Sequence, residues 1–461
     1  MSLTGDTIVA ISTPIGRGAI CIIRLSGPDS LKIADKIFTS SKGNKLSNQK
    51  GNTVLHGKIS VNGAGIQDEG LAVIFKEPRS FTGEDMIEFN CHSNVILMNL
   101  ILDAAIAKGA RLAEPGEFSK RAYLNKKMDL FKAEGIVNLV NAKTRDGLRA
   151  ASGMLSGEDK NLISEIVNNL QSILINVEAM IEFPEDGISE FDNKGLLGEF
   201  RQILNRLNRQ VSKRSRSFLY SDGVRCCIAG KPNVGKSTLL NSLLNDERAI
   251  VSKYPGTTRD LIKEYIDIEG IPVYLTDTAG ISDKHGEIEA IGIDKSIKAV
   301  KSSEVIIILL DGSIDLTNDD ENIFEITDGK DGLVVINKSD LPDVLTLSRL
   351  KSLSKGWKIV RISAKYGDNI DKLKGELGKV ISRSCIEDSE IRSYGSTALD
   401  IYLKKAVSVL EASIERVKAN YSLEFISEDV KTVLNELGNL TASMASDDIL
   451  NGIFSRFCIG K

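Results

Sequence analysis

Apolar and polar positions change their period several times along the chain, and each change marks a new block. Residues 7–12 and 19–25 are β-rich runs joined by the turn composition Thr13-Pro14-Ile15-Gly16-Arg17-Gly18. Residues 72–75 and 85–91 read as further strands, and 93–108 has the apolar spacing of an amphipathic helix ending at Gly109. This predicts a small α+β domain over residues 1–120. From Pro115-Gly116-Glu117-Phe118 the period turns helical, over 118–124, 130–142, 143–154 and 161–181; Pro184 to Gly187 break the run before another helix over 193–214. Helical periodicity returns at 396–419 and 427–437. Between these blocks lie apolar strand-like runs at 224–229, 262–268, 273–276, 333–336 and 359–362. The pattern predicts a helical domain in two parts, 121–219 and 381–461, interrupted by an α/β domain over 220–380. Neither helical part makes a complete bundle alone, so both connections to the insert are expected close in space.

The loops after those strands carry the chemistry. Gly230-Lys231-Pro232-Asn233-Val234-Gly235-Lys236-Ser237 joins a strand to a helix that begins Thr238-Leu239, the arrangement that aims backbone N–H groups and a helix N-terminus at phosphate. Lys236 can reach the β- and γ-phosphates and the Ser237 hydroxyl can ligate Mg²⁺. Asp277-Thr278-Ala279-Gly280 ends the strand at 273–276, placing an acid beside Mg²⁺ and a glycine beside the γ-phosphate. Asn337-Lys338-Ser339-Asp340 follows 333–336. The Asp340 carboxylate can accept from guanine N1–H and its exocyclic amine, a donor pair that adenine lacks, while the Lys338 stem can lie along the base. Ser363-Ala364-Lys365 suits backbone recognition of the guanine O6. Together these predict GTP or GDP.

Val251-Ser252-Lys253-Tyr254-Pro255-Gly256-Thr257-Thr258-Arg259-Asp260 occupies the position of a first switch, where a threonine hydroxyl completes the Mg²⁺ shell. The residue after Gly280 is Ile281, so the glutamine that orients water in Ras-type enzymes is missing. His285, Glu287 and Glu289 are the nearby polar alternatives. No finger arginine is evident, and a monovalent cation held by Asn233 and the switch backbone can supply its charge.

A length of 461 residues accommodates about three domains. The net charge of −4 neither announces nor excludes a nucleic-acid partner. The basic run Arg201, Arg206, Arg209, Lys213, Arg214 and Arg216 reads equally as a solvated helix face or an RNA contact. Six scattered cysteines and three histidines show neither a disulfide framework nor zinc-ligand spacing. No basic apolar leader and no bilayer-length apolar run are apparent, so a cytoplasmic protein without a membrane partner is expected. Arg24 and Glu88 lie in Ile-rich strand patterns, as a structural ion pair or as a small-molecule site.

The segments GKPNVGKS, GTTRD and DTAG, the interrupted helical domain, the opening TPIGRGAICIIRLSG and the ending Phe457-Cys458-Ile459-Gly460-Lys461 together resemble the MnmE (TrmE) family of tRNA modification GTPases along the whole chain. The resemblance implies a multidomain α+β protein: an amino-terminal folate-binding-type α+β domain, a discontinuous helical domain and an inserted Ras-like P-loop G domain. It implies a cytoplasmic homodimer that works with the flavoprotein MnmG, which carries FAD, to add a carboxymethylaminomethyl or aminomethyl group at C5 of the wobble uridine of certain tRNAs. The one-carbon carrier implied is 5-formyltetrahydrofolate or a related tetrahydrofolate. By motif match Arg24, Glu88, Lys127 and Lys461 look like folate contacts, with Glu84 of TGED as the alternative to Glu88, and Cys458 looks like a participant in the modification. The resemblance further implies that K⁺ replaces an arginine finger, held by Asn233, Ser252, Tyr254 and Thr257. Thr258 matches the Mg²⁺ threonine and Glu289 the glutamate that orients water. Leu437 to Met444 departs from the family's LGxITGEV pattern. The alternative reading is a regulatory or ribosome-assembly GTPase whose outer domains bind RNA or protein.

Overall fold

A computed structural model of the chain describes residues 5–16, 18–61, 65–182, 193–245, 265–277, 298–384, 398–441 and 447–460. Two compact units emerge: residues 1–137, 153–208 and 396–461 form one, and 138–152 with 209–395 form the other.

The first unit opens with a seven-stranded sheet of order β3-β4-β5-β6-β2-β1-β7. Its strands are β1 (Ile8–Ile11), β2 (Ile20–Ser26), β3 (Phe38–Ser40), β4 (Thr53–Val61), β5 (Ile66–Phe75), β6 (Met86–His92) and β7 (Arg111–Leu112). Only β1 and β7 run parallel. Alternation along β2 sends Cys21, Ile23 and Leu25 into a core shared with Met98, Ile101 and Ala105 of the helix Val95–Ala107, while Arg24 faces the other way. Asn94 caps this helix by accepting from the Ile96 and Leu97 N–H groups. Register sets Arg24 directly opposite Glu88 and Cys21 opposite Cys91.

The helices of this unit come from distant parts of the chain. On the helix Glu158–Glu182, residues Ile163, Ile166, Leu170, Ile173 and Val177 form a buried stripe at three- and four-residue spacing. The helix Leu423–Thr441 packs on it with Ile426, Val430, Val433 and Leu437 buried. Glu178 ties the two, accepting from Ser427 Oγ at 2.5 Å and pairing with Lys431 at 2.7 Å. The helical segments on either side of the insert therefore share one core.

The second unit holds a six-stranded sheet of order β13-β12-β11-β8-β10-β9, built from β8 (Val224–Ala229), β9 (Tyr265–Ile268), β10 (Ile271–Asp277), β11 (Val305–Asp311), β12 (Asp331–Asn337) and β13 (Lys358–Arg361). Only β9 is antiparallel to its neighbour. The continuous apolar run Val305 to Leu310 is buried throughout, as a central parallel strand covered on both faces must be. The chain builds outward from β8 first on one side and then on the other. The crevice at the carboxyl end of β8 is thus the topological switch point where α/β sheets bind ligands.

Candidate functional site

The phosphate-binding loop leaves β8 at that crevice and enters the helix Lys236–Asn245. Asn233 and Gly235 take left-handed backbone angles, φ 66° and 101°. A Cβ on Gly235 would stand 2.4 Å from the Asn337 amide nitrogen, and one on Gly230 would stand 2.5 Å from the Leu309 carbonyl. The glycines are therefore imposed by close backbone approach as well as by the turn. Val234 is buried beneath the loop, and Ser237 and Thr238 are exposed at its helical end. Lys236 is 6% exposed and donates from Nζ to the Gly230 and Lys231 carbonyls, each at 2.8 Å. That fixes the ammonium inside the loop it serves. The loop has the left-handed turn and helix entry of a phosphate-binding loop, with Ser237 exposed at its helical end.

Asn337, at the end of β12, is the fastener between loops. Its Nδ2 donates to the Val234 carbonyl at 2.8 Å, and its Oδ1 accepts from the Ala364 N–H at 2.9 Å. Sequence reasoning placed Asn337 among the nucleotide contacts; both ends of its amide are committed to protein. Asp340 stays exposed, with Oδ1 accepting from the buried Ser363 hydroxyl at 2.6 Å, which orients the carboxylate. Lys338, at φ 62°, pairs with Asp311 at 2.5 Å. Burial works to raise the Asp311 pKa, but hydrogen bonds from Lys338 and Ser313 outweigh it and hold the carboxyl below its usual range. Asp311 carries no motif and was missed; the structure sets it opposite Asn337 in the β11–β12 register. Lys365 lies over the Tyr366 ring at 5.0 Å. The expected loops at 230–238, 337–340 and 363–365 thus converge at one end of the sheet. Asp277 ends β10 there too, paired in register with Ile228.

Ser252, Lys253, Tyr254, Pro255, Gly256, Thr257, Thr258, Thr278, Ala279, Gly280, Glu289 and Lys461 lie outside the described residues.

A second constellation sits in the first unit. Arg24 donates from Nε to Glu88 at 2.8 Å and from Nη1 to the Gly460 carbonyl at 3.3 Å, with its guanidinium 5.5 Å from the ring centres of Phe81 and Phe118. Ser12 Oγ also donates to the Gly460 carbonyl, at 3.1 Å. Gly460 is left-handed at φ 94°, and a Cβ there would meet the Ile11 carbonyl at 2.4 Å. The segment that carries the exposed thiol of Cys458 is therefore seated against β1 and Arg24. Phe454 and Phe457 anchor it, ring centres 5.4 Å apart, with Phe454 6.3 Å from Tyr123. Ser12 and the Gly460 carbonyl were not foreseen, because a backbone acceptor leaves no trace in sequence. Glu84 belongs elsewhere: it accepts from Ser26 Oγ at 2.7 Å and from the fully buried Arg121, which also binds Asp6 and Glu117. Lys127 donates to the Pro78 carbonyl at 2.8 Å.

Two family descriptions match: "GTP-binding protein TrmE N-terminus" over residues 7–127 and "MnmE helical domain" over residues 130–458. Among curated relatives, the tRNA modification GTPase MnmE of Thermoanaerobacter pseudethanolicus is 37% identical, covering 99% of this chain and 99% of its own. That of Bacillus subtilis is 34% identical over 99% of this chain and its whole length. The chain belongs to the MnmE (TrmE) family of tRNA modification GTPases. Among solved structures, Aquifex aeolicus Era bound to GDP and aluminium fluoride aligns at 32% identity with 34% of this chain and 56% of its own, at a TM-score of 0.27.

As expected for an MnmE-family chain, an amino-terminal α+β domain, a helical part and a P-loop α/β domain are all present. No helix among the described residues is long and apolar enough to cross a membrane. The family departure at 437–444 falls where the helix Leu423–Thr441 ends, so Leu437 and Leu440 are buried helical residues.

Proposed function

We propose that this chain is a K⁺-dependent GTP hydrolase. With the flavoprotein MnmG, it adds a carboxymethylaminomethyl or aminomethyl group to C5 of the wobble uridine (U34) of certain tRNAs, using a one-carbon unit carried by a tetrahydrofolate. It acts in the cytoplasm as a homodimer. The observation that carries the reading is the convergence of three loops at the β8 crevice, in a chain alignable end to end with tRNA modification GTPases.

In this reading Lys236 leaves the Gly230 and Lys231 carbonyls to meet phosphate oxygens, and the left-handed turn at Asn233 and Gly235 directs N–H groups at the same oxygens. Val234 and Thr238 flank those contacts. Asp340, pre-aimed by Ser363, takes the guanine N1–H and amine, and Ala364 and Lys365 complete the base pocket. Ser237 and Thr258 hold Mg²⁺; Asn233, Ser252, Tyr254 and Thr257 hold K⁺; and Glu289 orients the attacking water. Bound cations supply positive charge against the charge that develops on the transferred phosphoryl group. The remaining switch residues, Lys253, Pro255, Gly256, Asp277, Thr278, Ala279 and Gly280, close around the nucleotide, with Asn337 and Lys338 bracing the base loop.

The second site uses Arg24 and Glu88, with Lys127 and Lys461, as contacts for the folate carrier. Gly460 seats the tail so that Cys458 joins the modification there.

Hydrolysis is measured in K⁺ and in Na⁺, for the wild type and Glu289→Ala. The expected result is K⁺ stimulation and loss of orders of magnitude in the variant with nucleotide binding retained. Indifference to both changes would sink the hydrolytic mechanism. Mass spectrometry of wobble nucleosides from cells lacking the gene, rescued with wild type or Cys458→Ser, tests the modification. Normal nucleosides after deletion, with the GTPase intact, would point to a switch acting on RNA or protein instead.

A further inference from the structure

We propose that Asp320 is a positioning residue for the phosphate-binding loop, acting by holding Lys231, the second residue of that loop. Asp320 lies in the first turn of the helix Asn318–Ile326, where the Thr317 N–H donates to its Oδ2 at 2.9 Å and the Thr317 hydroxyl lies 3.0 Å away. The same oxygen stands 2.6 Å from Lys231 Nζ, and that ammonium also donates to Thr317 Oγ1 at 2.8 Å. A lysine in a loop at a sheet end is ordinarily solvated, yet this side chain is only 14% exposed and its partner 3%. A capping carboxylate at a helix N-terminus is already favoured by the helix dipole. Here it serves a second element, distant in the chain (Lys231 and Thr317 are 86 residues apart) yet in contact through Lys231.

The consequence reaches the phosphate site through the backbone. The Gly230 and Lys231 carbonyls both accept from Lys236 Nζ, so the place of those two peptides sets where the Lys236 ammonium waits. Gly230 is held by packing on the Leu309 carbonyl and Val234 by Asn337. Between these fixed points the Lys231 side chain is the tether, and Asp320 is its anchor. The other oxygen of Asp320, Oδ1, is buried without a hydrogen-bond partner among the described residues, so the carboxylate depends on what reaches Oδ2. The two residues are therefore expected to act as one coupled unit, not as two independent stabilisers.

The inference rests on the guanine-nucleotide reading of the loop; a wild-type chain that bound neither GDP nor GTP would fail that reading first. The experiment compares wild type, Asp320→Asn, Lys231→Met, the double variant and Lys231→Arg in the full chain. It measures GDP affinity by fluorescent-nucleotide titration, steady-state KM and kcat for GTP, and thermal unfolding. Asp320→Asn keeps an acceptor for the Thr317 N–H and removes the charge that holds Lys231. The expected result is a GDP affinity about tenfold weaker in each single variant, no further loss in the double, and substantial recovery in Lys231→Arg. KM for GTP should rise in parallel while kcat stays within about twofold, as a loop-ordering role requires. Single-variant losses that multiply in the double, or variants that melt earlier yet bind GDP as wild type does, would overturn the proposal. Should Asp320→Asn fail to fold, the Lys231→Met and Lys231→Arg pair decides alone: equal affinity in both overturns it.

Discussion

Replacing Asn337 with alanine should show how far the nucleotide site depends on a single side chain. The residue is 4% exposed, and both ends of its amide bond buried backbone groups, the Val234 carbonyl at 2.8 Å and the Ala364 N–H at 2.9 Å. Truncation strands both partners, which sit on the buried residues Val234 and Ala364. Each stranded group costs about 1–3 kcal/mol, so the variant should lose about 3 kcal/mol and about a hundredfold in GDP affinity as both loops lose their common tether. The chain contains one tryptophan, Trp357, which packs against the core of the nucleotide unit. Its emission during urea unfolding therefore reports that unit alone, which matters because a chain of several domains does not unfold in one step. Asn337→Asp provides the contrast: it still accepts from Ala364 but turns an oxygen toward the Val234 carbonyl, so nucleotide affinity should fall although Ala364 keeps its partner. A GDP affinity within threefold of wild type in Asn337→Ala would refute the fastening role, whatever happened to stability.

Two further outcomes follow from the first unit. Gly460→Ala forces a Cβ within 2.4 Å of the Ile11 carbonyl at a left-handed backbone angle, so the tail should detach and the Phe457 amide, bonded to the Phe454 carbonyl at 3.0 Å, should exchange with solvent about tenfold faster or more. Unchanged exchange would mean that the tail is held by its aromatic rings alone. For Asp6 and Glu117, burial works to raise the pKa, while Arg111 and Arg121 bind both carboxylates and hold them below the ordinary range. A depressed folded-state pKa gives stability that is complete above the unfolded value, about pH 4, and is lost as pH falls through the folded one. Arg121→Met should lower the melting temperature of this unit near pH 7 and flatten its decline toward about pH 3; an acid limb identical to wild type would contradict the pairing.

Periodicity revealed elements whose burial is simple. Leu333 to Ile336 and the stripe from Ile163 to Val177 are legible because one environment acts along the whole segment, whereas the equally apolar Val305 to Leu310 was not read. The strand β4 and the first half of β5 were not read, and glycine explains why. Gly57 and Gly70 face each other in register, and a Cβ on either would strike a neighbouring strand carbonyl, at 2.3 Å from Thr39 and 2.4 Å from Asn90. Residues that usually interrupt a strand are here required by its neighbours. The helix expected over 427–437 runs instead from Leu423 to Thr441, because Ile426 and Leu440 carry the buried face beyond both ends of that stretch. At the sites, side-chain chemistry was readable wherever a fixed spacing carries it, as in 230–237 and 337–340. What was not readable were contacts made by backbone atoms, such as the Gly460 carbonyl, and ion pairs between residues in no motif, such as Lys231 with Asp320.

The interleaving of the two units also dictates an order of assembly. During synthesis, every strand of the nucleotide sheet, and the earlier segment 138–152 that joins it, is available once the chain has reached about residue 395. At that moment the other unit is still unfinished: Arg24 has no Gly460 carbonyl, Tyr123 has no Phe454, and the apolar stripe of the helix Glu158–Glu182 has no covering helix. The inserted unit can close its core first, while its host waits with an open apolar face for residues 398–460. Ribosome-bound chains stalled before and after that segment emerges should therefore differ in their need for a holding chaperone, even though the nucleotide sheet is equally complete in both.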